Sequence, residues 1–180
     1  QQQSEQYDSY WIPEGGNNDF GHQGCAELAK YCQGYDEIWL SIGSGATFLG
    51  LAEGVNTLES SNLESSNKNV SQSPQIHGVL AIKGGEALAS DLLSCVGQAH
   101  SIDTEGHLGG FGKCPDALIA RIKAYDAHGL ALDPVYTGKL IVAFEQSWQA
   151  DLLDASKRYL IIHSGGLQGR RGVAELVTKV

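Results

Sequence analysis

Methionine is missing from all 180 residues. Residue 1 is therefore expected not to be an initiator, and a processed or truncated chain is expected. Cations are scarce: 12 Lys and Arg against 21 Asp and Glu leave a formal charge of −9 and a pI near 5.0. Such a balance excludes a nucleic-acid or anionic-membrane surface as the main partner. No apolar run approaches the roughly 20 residues of a membrane span, and the Gln-rich start has no signal-peptide character. Cysteine is sparse. Cys25, Cys32, Cys95 and Cys114 have no CxxC spacing and no paired His pattern, which argues against a zinc ribbon or a thioredoxin-type site. A secreted disulfide scaffold would be smaller and denser in Cys, so reduced thiols in a soluble, cytoplasmic protein are expected. Asn69-Val70-Ser71 fits a glycosylation sequon, a motif short enough to arise by chance. There are only 4 Pro but 23 Gly, a balance suited to tight turns that approach a ligand rather than to Pro-rich linkers.

What is present is globular: 42% hydrophobic and 18% charged residues, in a length that suits one domain. Residues 1–8 are polar and read as disordered or as a linker remnant. Ser9 to Ile12 reads as a short strand ending at the turn Pro13-Glu14-Gly15-Gly16. Asn17-Asn18 opens a helical stretch to Cys32, with Cys25, Leu28, Ala29 and Cys32 at i, i+3, i+4 and i+7. Glu37 to Ile42 is a nearly continuous apolar run of strand length, as expected for a strand buried on both faces. A glycine turn and a helix over about Ala46 to Val55 follow. Residues 56–75 read as a flexible surface insertion, because Leu58-Glu59-Ser60-Ser61-Asn62 is repeated at once as Leu63-Glu64-Ser65-Ser66-Asn67. Beyond it, Ile76 to Ile82 reads as a strand, Glu86 to Ala99 and Pro115 to His128 as helices, Gly138 to Trp148 as a helix, and Arg158 to His163 as a last strand. This alternation predicts an α/β domain over residues 9–180, a mostly parallel sheet with helices on both faces. Ligands in such sheets sit at the carboxyl ends of the strands, where Gly43–Thr47, Gly84-Gly85 and Ser164–Gly166 should converge.

Ser41-Ile42-Gly43-Ser44-Gly45-Ala46-Thr47 runs from a strand into a helix. Small residues let backbone N–H groups approach an anion, the helix terminus adds partial positive charge, and Ser44 and Thr47 add hydroxyls. Either a phosphate cup or a plain βα turn satisfies this sequence. It is not a Walker A loop, since no Gly-Lys-Ser/Thr follows, and its third glycine, Gly50, lies too far along for a dinucleotide fingerprint. Asp133-Pro134-Val135-Tyr136-Thr137-Gly138-Lys139 sets an aromatic hydroxyl before a helix. His163 reads as a hydrogen-bonded core histidine, and Ser164 as a turn serine or a ligand group.

Together these segments resemble the pyridoxal-phosphate enzymes of the tryptophan-synthase β-type fold. More narrowly, they resemble the family of 1-aminocyclopropane-1-carboxylate (ACC) deaminase and D-cysteine desulfhydrase. The pieces are Ile12–Asn18, Gly43–Thr47 with Gly50-Leu51, Gly109–Lys113, Leu132–Lys139 and Ile161–Leu167, in family order. The resemblance implies the large cofactor domain and pyridoxal 5'-phosphate as cofactor. Gly43, Ser44, Gly45, Ala46 and Thr47 would hold its phosphate, with Thr137, Ser164 and Gly165 as further cofactor contacts. Ser164 would face the pyridine nitrogen. Tyr136 would be the catalytic residue on the substrate side of the ring, with Gly16, Asn17 and Phe111 lining the substrate. The implied reaction is elimination or deamination of a small amino acid by a homodimer, with no metal, nucleic acid or membrane involved. Thr137 stands where the cyclopropane deaminases are expected to carry Glu, and Phe111 where many members have Tyr, which favours the desulfhydrase branch. The lysine that carries the cofactor in this family is expected upstream and is not matched here; Lys83, at a strand end, is a substitute candidate on geometry alone, and an ordinary strand-end lysine is the better reading. The resemblance thus implies a chain that lacks the N-terminal part of a longer enzyme and is inactive alone. A non-catalytic phosphate-ligand module or partner subunit is the alternative reading.

Overall fold

The structure is a computed structural model and describes residues 10–64, 73–97 and 99–177. Its centre is β1, Glu37–Ile42, whose side chains point alternately to two different cores. Ile38, Leu40 and Ile42 pack with Phe48, Leu51, Ala52, Val55 and Leu92 on one face. Trp39 packs with Val79, Leu140 and Ala143 on the other. This two-sided burial is why the run is apolar at nearly every position instead of at every second one.

β2, Gln75–Leu80, pairs in parallel with β1 from Glu37↔Gln75 to Ile42↔Leu80. β3, Ser101–Asp103, pairs in parallel with β2, and β4, Tyr159–Ile161, in parallel with β1. The four-stranded order is β3-β2-β1-β4. All strands being parallel, their carboxyl ends share one edge, which brings the turns after β1, β2 and β4 to the same side, as the sequence predicts.

Among the described residues five α-helices flank the sheet, directly or through another helix: α1 Asp19–Ala26, α2 Ala46–Glu64, α3 Glu86–Val96, α4 Asp116–Asp126 and α5 Thr137–Gln149. Asn18 caps α1 by accepting from the Gly21 amide at 2.9 Å. α1 lies close along α2 because Gly50 and Gly54 carry no side chain there. A Cβ at Gly50 would run into the His22 carbonyl, and one at Gly54 into the Ala26 carbonyl. The third glycine of the β1–α2 segment is thus a packing residue. On the opposite face α5 is sandwiched between the sheet and α4, through Leu118, Ile122, Leu132, Ile141 and Leu176.

Four readings of the sequence are corrected. Tyr10 to Ile12 form no strand: all three are exposed and pair with no neighbour in the sheet. β propensity without a ladder partner leaves backbone groups better satisfied by water. The stretch expected as a loop from residue 56 is helical as far as Glu64, continuing α2; residues 65–72, with the sequon, and the terminal residues 1–8 lie outside the described residues. β3 was not expected, since Ser-Ile-Asp carries no apolar run; pairing with β2 makes it a strand. His163 is exposed, although it is hydrogen-bonded, its Nε2 lying 2.7 Å from the Ala131 carbonyl. No described helix is long and apolar enough to cross a membrane.

Candidate active site

The β1–α2 turn lies at the carboxyl edge of the central strand. Gly45 has φ of +93°, a conformation that costs an L-residue energy, and a Cβ there would stand 2.5 Å from Cδ2 of Leu92 in α3. The turn is therefore both bent and wedged between strand and helix. It points the first, unpaired N–H groups of a 19-residue helix at the edge. The Ser44 hydroxyl forms no hydrogen bond among the described residues, and Thr47 Oγ1 has only a long contact of 3.8 Å from Cys25 Sγ. Both hydroxyls keep capacity for an anion.

The segment Glu14–Asn18 folds over this turn. Gly15 lies against the Ser44 side chain so closely that a Cβ there would overlap it. Asn17 donates from Nδ2 to the Ser44 carbonyl at 2.9 Å, while its Oδ1 lies 2.7 Å from His22 Nε2. The Asn17 amide, expected to line the substrate, is thus committed to bracing the turn. Gly16 is half-buried beside it, with open space where a Cβ would be.

Tyr136 enters from the start of α5. Its ring covers Gly43, since a Cβ on that glycine would lie 3.1 Å from Tyr136 Cε1. Its other side meets Phe111, with ring centroids 5.9 Å apart at 70°. Burial, reinforced by the negative charges of Asp133 and Glu14, pushes the phenol above its ordinary pKa. At neutral pH Tyr136 is a hydrogen-bond donor rather than a phenolate base.

Asp133 holds this arrangement. Fully buried, it accepts at Oδ1 from the Val135 and Tyr136 amides, each at 2.8 Å, and at Oδ2 from the Thr137 amide at 2.8 Å and hydroxyl at 2.7 Å. The Thr137 hydroxyl in turn accepts from the Asp133 amide at 2.9 Å. A carboxylate at a helix N-terminus also interacts favourably with the helix dipole. Thr137, expected at the cofactor, is buried, with its hydroxyl donating to Asp133 and accepting from the Asp133 amide. The turn after β4 reaches the same group: a Cβ on Gly166 would lie 3.1 Å from Asp133 Oδ2. Ser164 is exposed at this turn, and the Gly165 amide donates to His163 Nδ1 at 3.2 Å.

The structure thus brings Gly16, Asn17, Gly43, Ser44, Tyr136 and Phe111 into one contact chain, with Gly45, Ala46 and Thr47 in the turn itself. Sequence reading assigned no role to Asp133 or to Lys139, which is only 1% exposed. The signal for Asp133 was available as an Asp four residues ahead of a helical Thr. Lys139 gave none, because a lysine in the first turn of a helix reads as solvated.

No family model matches the chain. Over 166 residues it is 30% identical to the D-cysteine desulfhydrases of Salmonella typhimurium (strain LT2) and Salmonella newport (strain SL254), across 87% of this chain and 50% of each relative. A solved ACC deaminase homologue matches its fold with a TM-score of 0.74 at 23% identity, covering 93% of this chain and 53% of that one. The fold class is accordingly the α/β architecture of that homologue, a parallel sheet with helices on both faces. In sequence the chain thus resembles the D-cysteine desulfhydrases and in fold the ACC deaminase homologue, and it spans about half the length of the curated relatives it matches.

Proposed function

We propose that this chain forms the cofactor-holding part of a pyridoxal-phosphate-dependent enzyme that eliminates from, or deaminates, a small amino acid in the manner of a D-cysteine desulfhydrase. One observation carries the reading. The glycine turn at the head of α2 is wedged by Leu92, braced by Asn17 and roofed by Tyr136, leaving two hydroxyls and a helix terminus open to one anionic group.

The residues fit the phosphate end of the cofactor. Ser44 and Thr47 would donate hydroxyl hydrogen bonds to it, and Gly43, Gly45 and Ala46 would admit it to the backbone N–H groups. When bound, the cofactor supplies an electron sink for the bonds at the substrate's Cα. Tyr136 presents a protonated hydroxyl and with Phe111, whose ring is otherwise exposed, forms an aromatic wall at the ligand edge. Ser164, next to Gly165 in the turn after β4, offers a neutral hydroxyl. Thr137 acts through Asp133 as a positioning residue. The working assembly is a soluble, cytoplasmic homodimer acting on a small amino acid.

The test is titration of the purified chain with pyridoxal 5'-phosphate, followed by absorbance and protein fluorescence. Saturable binding is expected, competed by inorganic phosphate and weakened about tenfold by Ser44→Ala with Thr47→Val, the loss of charge-assisted hydrogen bonds. No saturable binding overturns the reading. The placement of the described lysines favours one second reading, a non-catalytic phosphate-ligand module. Lys139 is committed to main-chain carbonyls and Lys83 stands exposed beside Gly110. Borohydride reduction of the full-length protein with added cofactor separates the two: a stable mass increase on a lysine, within or outside these 180 residues, supports the enzyme, and reversible binding without it supports the module.

A further inference from the structure

Lys139 is the third residue of α5, and its Nζ donates to the Gly110 carbonyl at 2.7 Å and reaches the Ala81 carbonyl at 3.5 Å. Each partner belongs to a different piece of the ligand edge. Ala81 follows β2 and is tied to β1 by its amide, which donates to the Ile42 carbonyl at 3.0 Å. Gly110 sits in the turn that carries Phe111, a turn with positive φ at Leu108, Gly109, Gly110 and Gly112. The same Gly110 carbonyl accepts from the Lys113 amide at 3.1 Å. Lys139 itself lies three residues beyond Tyr136, so one ammonium connects the strand ends, the Phe111 turn and the helix that carries Tyr136.

Burying an ammonium is costly unless its donors are satisfied. Among the described residues Lys139 forms no ion pair, and burial lowers its pKa against the opposing pull of Cys114 and Asp133. A turn with so many left-handed residues has little intrinsic preference for one shape, and its carbonyl is where the cation is spent.

We infer that Lys139 is a positioning residue of the ligand edge: its ammonium pins the Gly109–Gly112 turn to the end of β2, so that Phe111 stands against Tyr136. The inference deepens the cofactor reading and rests on it for the purpose the pinned wall serves.

The experiment compares the ligand-free chain with its Lys139→Met, Lys139→Gln and Lys139→Arg variants by residue-resolved hydrogen exchange and near-ultraviolet circular dichroism. In Lys139→Met and Lys139→Gln, amides from Gly109 to Lys113 should exchange on the order of 10- to 100-fold faster, the loss of hydrogen bonds to a charged group. The tyrosine dichroism should fall with them, while Leu40 and Val79 keep their protection. Lys139→Arg, which keeps a cation with N–H donors, should restore part of both signals. Unchanged turn exchange in the Met and Gln variants overturns the inference. So does equal loss of protection at Leu40 and Val79, or outright unfolding of both, because Lys139 would then support the whole fold and not this turn. Wild-type titration with pyridoxal 5'-phosphate is run alongside. Failure there with the exchange result intact removes the cofactor reading and leaves the tie, and the reverse pattern removes the tie alone.

Discussion

Tyr136 lies over Gly43 at a separation that leaves no room for one more carbon: a Cβ there would stand 3.1 Å from Cε1 and 3.4 Å from the hydroxyl. The N-cap residue of α5 thus forms the roof of a turn made by β1 and α2, some ninety positions earlier in the chain. Gly43 has no left-handed φ, so its role is space alone. Gly43→Ala is expected to fold with a loss of about 1 kcal/mol, at the mild end of overpacking. It should nevertheless weaken pyridoxal 5'-phosphate binding, because the tyrosine must tilt away. A urea titration beside a binding titration checks both halves, and unchanged affinity would refute the roof.

Gly45→Ala is a different case. The left-handed φ and the contact with Leu92 both resist a Cβ, and together these cost about 2–4 kcal/mol. The double variant Gly45→Ala with Leu92→Ala should recover part of the packing cost and none of the backbone cost. Denaturant midpoints for the two singles and the double give this coupling directly.

Asp133→Asn keeps the shape and removes the charge. One amide NH₂ would then face the N–H or O–H groups that the carboxylate accepts from, at a cost of about 2–4 kcal/mol. The change should also lower the pKa of Tyr136, since the negative charge of Asp133 contributes to raising it. Ultraviolet titration of the phenol, with Tyr136→Phe to assign the transition, tests the direction.

Acid sensitivity has a defined origin in two histidines. Burial holds His77 and His100 below the ordinary value of about 6.5, with Asp103 and Glu37 partly opposing this at His77. His100 Nδ1 accepts from the Ile76 amide at 3.1 Å, so protonation there sets donor against donor. For a folded pKa below the unfolded one, the unfolded state binds protons first. The stability is fully present above about pH 6.5 and is lost as pH falls through the lowered folded values. Urea midpoints should drop between pH 7 and pH 5, and less steeply in His100→Gln, which can keep the acceptor without titrating. An equal drop in the variant would assign the loss elsewhere.

Thiol reactivity should rank by burial. Cys32 is buried and its pKa is pushed up to about 11, whereas Cys95 is exposed. Maleimide labelling at pH 8, read by peptide mass, should modify Cys95 first and Cys32 last. Early loss of Cys32 would mean that the α1–α2 layer opens before the rest.

Much of the fold was legible because burial on two faces writes itself into composition: the run Ile38 to Ile42 can hardly be anything but a central parallel strand. The β1–α2 turn was legible for a related reason, since a strand, small residues and a helix in succession limit what the backbone can do. β3 was not, because three residues such as Ser101, Ile102 and Asp103 acquire strand geometry only from a neighbour that offers hydrogen bonds. Nor could Tyr10 to Ile12 be read correctly, where the propensity was present and the neighbour was not. Periodicity likewise gave no sign that α2 runs through half of a tandem repeat to Glu64.

By itself, the sequence determined the parallel α/β plan, the edge where the turns meet and the segments that resemble the family, because these depend on local pattern and on chain order. Tertiary structure alone decided that the Asn17 amide meets the Ser44 carbonyl, that Tyr136 lies over Gly43, and that a lysine lies buried against two carbonyls. These roles depend on which distant groups share a few ångströms of low-dielectric space, and no local pattern encodes that.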